Sequence, residues 1–243
     1  MTSHTEPPRV IGHRGAAGHA PENTLISVVR AHELGAEWVE VDVKLSRDGM
    51  PVLFHDDTLD RTTDGHGSLA ACTLEDLSAR DAGAWFGPQF AGEHIPTLVG
   101  LMAVLADLGM GLNLELKPCP GRAAETGRVV ADALKRSWPD GLPAPVVSSF
   151  DPTALTAFSE VAPETEVAFL VHRLPPDWLA IARRIGARAV HCDVKLLKRH
   201  QVGEIIGAGL QVRCYTVNDG RQAARLLEWG VQSVITDYPD RMP

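Results

Sequence analysis

The sequence is short of the features that mark several common protein classes. It has 243 residues and four cysteines, Cys72, Cys119, Cys192 and Cys214, with no C-x-x-C pair. That argues against a zinc ribbon or a redox dithiol, and isolated thiols of this kind behave as small buried hydrophobes. It has no lysine- or arginine-rich run, and the formal net charge is −8. The broad positive footprint that a nucleic acid or anionic lipid partner requires is therefore missing, and an anionic ligand needs local cations. Long apolar runs are absent too. The most apolar stretch, "LVGLMAVLADLGMGL", is interrupted by Asp107 and is too short to span a bilayer. The N-terminal "MTSHTEPPRV" has no apolar signal core, which points to a cytoplasmic protein without stable membrane association. There is no low-complexity tract, and nothing in the sequence specifies an oligomeric state.

What is present is a rhythm. Short strand-like runs, "RVIGH", "WVEVDVKL", "PVLFH", "GLNLELK", "APVVSS", "EVAFLV", "ARAVHC", "LQVRCYTV" and "VQSVIT", recur along the whole chain. Helical stretches such as Thr24 to Leu34, Gly121 to Arg136, Pro152 to Val161 and Asp219 to Trp229 lie between them. Strand and helix in alternation predict a parallel sheet with helices outside it. The length and the strand count predict an α/β fold, a (β/α)8 TIM barrel formed as one domain over residues 1–243. Asn23 is read as the cap that opens the first helix, and Gly35, Gly186, Gly209 and Gly230 as helix terminators. Residues 56–96 break the rhythm. This turn-rich segment reads as a small insertion after an early strand, with Trp85, Phe86 and Phe90 as its own core.

Chemistry gathers at strand ends. Side chains alternate along a strand, so Glu40, Asp42 and Lys44 share one face while Val39, Val41, Val43 and Leu45 share the face turned to the helices. The same arithmetic groups Asn113, Glu115 and Lys117. His13 and His55 each close an apolar strand. In a barrel the C-terminal strand ends form the mouth, where His13, Arg14, Glu40, Asp42, His55, Glu115, Lys117 and Tyr215 can converge. Carboxylates crowded in such a mouth raise one another's pKa unless a cation neutralises them. Their hard oxygen ligands, without paired cysteines or His-x-His, favour Mg²⁺ or Ca²⁺ over Zn²⁺. The competing reading of Glu40 and Asp42 is an internal ion pair with Lys44 or Lys117.

Taken together, "HRGAAGHAPENT", "EVDVKLSRDGMPVLFHDDTLDRTTDGHG", "IPTL", "LNLELK", "YTVN" and "ITDYPD" closely resemble the glycerophosphodiester phosphodiesterase family across nearly the whole chain. The resemblance implies a (β/α) barrel with a small inserted subdomain. It also implies hydrolysis of small-molecule glycerophosphodiesters to glycerol 3-phosphate and an alcohol, within lipid and glycerol metabolism. It places one divalent cation at Glu40, Asp42 and Glu115, and general acid and base roles at His13 and His55. Arg14 and Lys117 are candidate phosphate cations, and Glu22 and Tyr215 candidate pocket residues for the glycerol or alcohol. Many relatives carry Trp at the position of Tyr215. The insertion, which follows His55 directly, is expected to roof the mouth and limit the size of the departing group.

Overall fold

The structure, a computed structural model, describes residues 6–243; residues 1–5, part of the polar N-terminal stretch, lie outside the described residues. The period-two pattern is realised as strands β1 (Val10–His13), β2 (Trp38–Leu45), β3 (Pro51–Leu53), β4 (Gly111–Leu116), β5 (Val146–Ser149), β6 (Glu166–Val171), β7 (Ala189–Asp193), β8 (Gln211–Tyr215) and β9 (Ser233–Thr236). All but β3 pair in parallel, in the order β1-β9-β8-β7-β6-β5-β4-β2, and β1 pairs with β2 to close a TIM barrel. Helices α1 (Leu25–Glu33), α3 (Leu98–Leu108), α4 (Ala123–Ser137), α5 (Pro152–Val161), α6 (Trp178–Arg184), α7 (Arg199–Gly207) and α8 (Gly220–Glu228) connect the barrel strands, and the short α2 (Leu74–Ser78) belongs to the insertion.

The apolar face of β2 packs outward as predicted: Val39, Val41 and Val43 join the large core shared with Leu101, Leu105 and Val130 of the surrounding helices. Inside the barrel, Ile11, Trp38, Val146, Ala168, Ala189 and Ile235 form a compact apolar layer. Gly111 is needed in that layer, because a Cβ at this position would lie 2.1 Å from the Trp38 indole. Above it the interior turns polar, with Glu40, Asp42, Asn113, Glu115 and Ser148 all buried.

Helix ends follow the sequence with one correction. Gly35, Gly186, Gly209 and Gly230 all adopt positive φ where helices stop, a conformation that costs glycine little. Asn23, read as the first helix cap, is not one. Thr24 caps α1, its Oγ1 accepting the Ser27 N–H at 3.3 Å, and Asn23 is turned elsewhere. The apolar stretch 98–108 forms α3, opened by Thr97 and closed by Gly109 in the left-handed region. Among the described residues, no helix is long and apolar enough to cross a membrane.

β3 departs from the parallel pattern. It runs antiparallel to β2, with Leu45 opposite Pro51 and Val43 opposite Leu53. The chain then enters the insertion, whose core is Val52, Phe54, Leu59, Leu69, Leu77, Ala82, Ile95 and Cys119. Trp85, Phe86 and Phe90, read from the sequence as that core, instead pack on one another edge-to-face with centroid spacings of 5.5 and 5.4 Å, and Trp85 is 40% exposed. Val52 and Phe54 of the β3 segment and Cys119 from beyond β4 help to fill that core, and the three rings lie outside it.

Candidate active site

The antiparallel course of β3 returns the segment that carries His55 to the edge of β2 beside Asp42, the same edge on which β1 sets His13 beside Glu40. β2 overhangs the barrel rim, and β3 descends along the same edge of β2 that β1 occupies lower down. The Glu40 carbonyl accepts the Gly15 N–H at 3.2 Å, and the Asp42 carbonyl accepts the Phe54 N–H at 3.1 Å. The segments carrying His13 and His55 therefore meet along one strand edge beside Glu40 and Asp42. His55 reaches the mouth from above, at the end of a returning strand; a parallel strand rising through the barrel would not have placed it there.

On the other side of β2, β4 pairs in register so that Asp42 lies opposite Glu115. Carboxylate oxygens of Glu40, Asp42 and Glu115 lie within 4.8 Å of one another, and all three residues are buried. Two cations lean on the cluster. Arg14 places Nε 3.2 Å from Asp42 Oδ2, while Lys117 Nζ lies 3.0 Å from Glu115 Oε1 and 3.7 Å from Asp42 Oδ1. Lys44 takes no part, since its Nζ contacts Asp57 at 2.6 Å.

The protonation chemistry follows from this crowding. Burial, with repulsion from Asp42 and Glu115, raises Glu40 well above the usual carboxylate range. Burial and the charge of Asp42 push Glu115 up to about 7, against the pull of Lys117. Burial acts the same way on Asp42, but Arg14 and Lys117 outweigh it and hold this carboxyl below its ordinary value. Three hard oxygen donors, two of them short of compensating positive charge, match the donor set of a divalent cation. Glu40, Asp42 and Glu115 together fit such an ion.

Each histidine is oriented by a carboxylate. His13 Nδ1 lies 2.6 Å from Asp237 Oδ1, and Asp237 in turn accepts Asn218 Nδ2 at 2.6 Å. His55 Nδ1 lies 2.6 Å from Asp56 Oδ1. In a neutral imidazole with its Nδ1 proton on a carboxylate, Nε2 is left as the free nitrogen. Burial lowers the His55 pKa, Asp42 opposes this, and Arg14 and Lys117 add to the lowering. His13 Nε2 is 3.9 Å from Glu40 Oε2.

The remaining sequence candidates lie at the mouth. Glu22 receives Arg14 Nη1 on Oε1 at 2.5 Å, and Arg61 on both oxygens at 2.8 Å. Tyr215 donates its hydroxyl to the Val171 carbonyl at 3.0 Å and meets the Phe150 ring edge-on at 6.0 Å. His172 stacks on Phe150 at 4.4 Å, and Lys117 Nζ sits 5.6 Å from the centre of the Phe150 ring. Phe150 and His172 were not singled out from the sequence, nor were Asp56, Arg61, Asn218 and Asp237. The signal was present in part, because Asp237 directly follows β9 and Asp56 directly follows His55, just beyond β3. A cavity of about 20 Å³, room for a single water, is lined by His13, Glu40 and Glu115 of the site together with Asn113, Ser148 and His191.

Residues 13–241 match the model of the glycerophosphoryl diester phosphodiesterase family. The chain belongs to this family. The phosphodiesterase is 33% identical to a glycerophosphodiester phosphodiesterase of Caldanaerobacter subterraneus, over 96% of this chain and 95% of the relative. Its fold superposes on that of an Oleispira antarctica phosphodiesterase, solved in complex with the product sn-glycerol-3-phosphate, with a TM-score of 0.94 and 41% identity over 97% of this chain and 95% of that one. A glycerophosphodiester phosphodiesterase from Agrobacterium tumefaciens aligns with a TM-score of 0.76 at 28% identity, covering 96% of this chain and 97% of its own. The protein is thus an enzyme, a hydrolase of the glycerophosphodiester class.

Proposed function

We propose that the phosphodiesterase hydrolyses glycerophosphodiesters to glycerol 3-phosphate and an alcohol, with one divalent cation, Mg²⁺ or Ca²⁺, held by Glu40, Asp42 and Glu115. The observation that carries this reading is the meeting of His13 and His55 along one edge of β2, beside the buried carboxylates, each ring tethered by its Nδ1. One Nε2 withdraws the proton from the nucleophile, either water or the glycerol's adjacent hydroxyl, and the other, as Nε2–H, delivers a proton to the departing alkoxide oxygen; where the hydroxyl attacks, water then opens the resulting cyclic phosphate to glycerol 3-phosphate. Arg14 and Lys117 balance charge on the nonbridging phosphate oxygens. The cation, when bound, polarises the phosphoryl group and adds positive charge where the transition state gathers negative charge.

Acid and base catalysis alone covers only the lower part of the acceleration range, and electrostatic contacts extend it. Two positioned proton carriers supply roughly 10²–10⁴-fold each, about 11 kcal/mol together at the upper end, whereas enzymatic accelerations commonly represent about 8–23 kcal/mol. Electrostatic contacts in a dry site add about 3–4 kcal/mol each. In this reading Glu22 and Tyr215 border the organic parts of the substrate, and the insertion roofs the mouth and limits the departing alcohol. The substrate is a small molecule, with no nucleic acid or membrane partner, and the enzyme works in the cytoplasm.

A ³¹P NMR time course on glycerophosphocholine, glycerophosphoethanolamine and glycerophosphoinositol tests the reading. Glycerol 3-phosphate should accumulate with Mg²⁺ or Ca²⁺ and stop with EDTA. His13→Ala and His55→Ala should each lower turnover by roughly 10²–10⁴-fold with the fold retained. More than about a tenth of wild-type activity in either variant contradicts the assignment.

A further inference from the structure

Arg61 belongs to the insertion, and its side chain is 45% exposed, yet it makes four hydrogen bonds to two carboxylates. Nε donates to Asp56 Oδ2 at 2.7 Å and Nη2 to Asp56 Oδ1 at 3.0 Å. Nη1 and Nη2 donate to the two oxygens of Glu22 at 2.8 Å. Four of the five guanidinium N–H groups are thereby used. Both carboxylates hold residues of the active site: Asp56 Oδ1 also holds His55 Nδ1, and Glu22 Oε1 also holds Arg14 Nη1.

We propose that Arg61 is a positioning residue for this active site, a single planar cation that fixes Asp56 and Glu22 and through them the His55 ring and the Arg14 guanidinium. The proposal deepens the phosphodiesterase reading of His55 and rests on it. It gives the insertion a second task beside roofing the mouth. A carboxylate on the residue next to its own histidine, partly open to water, has several rotamers available, and only one presents Oδ1 to Nδ1. The Arg61 fork selects that rotamer, because two parallel N–H···O bonds define a plane as well as a distance. Lysine offers a point charge and cannot span Asp56 and Glu22 in two bidentate pairs. The two histidines differ here. Asp237, the partner of His13, is held by the Asn218 amide from the barrel's own β8 loop. Disturbing Arg61 therefore loosens His55 and leaves His13 alone, which separates positioning from a general role in keeping the insertion attached.

The test uses the full chain loaded with Mg²⁺, comparing wild type, Arg61→Lys and Arg61→Gln. Long-range ¹H–¹⁵N spectra of the histidine rings above neutral pH report the tautomer directly. Wild type should show His55 as one species protonated on Nδ1. Both variants should show His55 as a mixture of tautomers, with His13 unchanged. Turnover of glycerophosphocholine should fall roughly 10–100-fold, the usual range for groups that orient a site from behind, and Arg61→Lys should recover no more than about threefold of it. A His55 spectrum in Arg61→Lys that matches wild type overturns the proposal, as does an equal disturbance at His13. Arg61→Lys keeps the charge and therefore the fold should Arg61→Gln unfold. If wild type hydrolyses none of the diesters, the functional reading fails, while the ring spectra still decide whether Arg61 sets the geometry of His55.

Discussion

At Asn23 the backbone adopts φ 58°, and the side-chain amide turns onto Asp42, Oδ1 accepting the Asp42 N–H at 3.0 Å and Nδ2 donating to Asp42 Oδ2 at 2.9 Å. Both ends of the amide are thus spent on orienting one candidate metal ligand. Asn23→Gly, which tolerates the positive φ, removes the amide without backbone strain. It should weaken Mg²⁺ binding by roughly 10–100-fold in a calorimetric titration while the circular dichroism spectrum stays unchanged. A second buried residue shapes the response to pH. His191 is fully buried with Arg213 Nη1 at 3.2 Å from its Nε2, and burial together with that positive charge lowers its pKa well below the ordinary histidine value. The ring is neutral when folded and protonates when unfolded, so its contribution to stability is present above pH about 6.5 and is lost as pH falls below it, by about 1.4 kcal/mol per unit. Urea midpoints for wild type should fall from pH 6.5 to 5 more steeply than those for His191→Gln; equal slopes would contradict this account. The sequence led to His13 and His55 through their places after apolar strand runs, and to Glu40, Asp42 and Glu115 through the polar faces that strand alternation gives β2 and β4. It did not lead to the groups that hold them, since Asp237, Asn218 and Arg61 lie far along the chain or in an irregular segment.

Among the elements, β3 and the α4–α5 pair show opposite degrees of legibility. "PVLFH" reads as a strand in sequence, but only pairing decides its direction, and the antiparallel choice is what carries His55 back beside Asp42. The α4–α5 contact depends on Gly127, where a Cβ would lie 2.3 Å from the Ala154 carbonyl oxygen and 2.9 Å from the Phe158 nitrogen. On an exposed helix, Gly→Ala stabilises by roughly 0.5–1 kcal/mol. At Gly127 the clash is with backbone that cannot yield cheaply, and overpacking of this kind costs about 1–3 kcal/mol. Gly127→Ala should therefore destabilise in urea denaturation. Gly203→Ala in α7, where nothing lies within 4 Å of the added Cβ, should be neutral or stabilising. The same substitution in two helices is expected to change sign with packing alone.

For the whole molecule, a charge of −8 combined with three buried carboxylates in one mouth couples stability to the cation. A ligand that binds only the native state at a hundred times its dissociation constant adds about 2.7 kcal/mol. For a chain of this length that corresponds to a rise of roughly 5–10 °C in Tm. Calorimetry with excess Mg²⁺ against EDTA should show a shift of this size in wild type, and little of it in Asp42→Asn. By itself the sequence determined the alternation of strands and helices, the outward apolar face of β2, and the identity of the acidic and imidazole groups, because these follow from local periodicity and from residue chemistry. Only the tertiary structure decided that β3 returns antiparallel, that Asn23 serves Asp42 and does not cap a helix, and that Arg61 of the insertion joins Asp56 to Glu22. Those outcomes depend on which segments lie side by side once the barrel closes, and pairing between residues distant in sequence is set by packing of the whole chain.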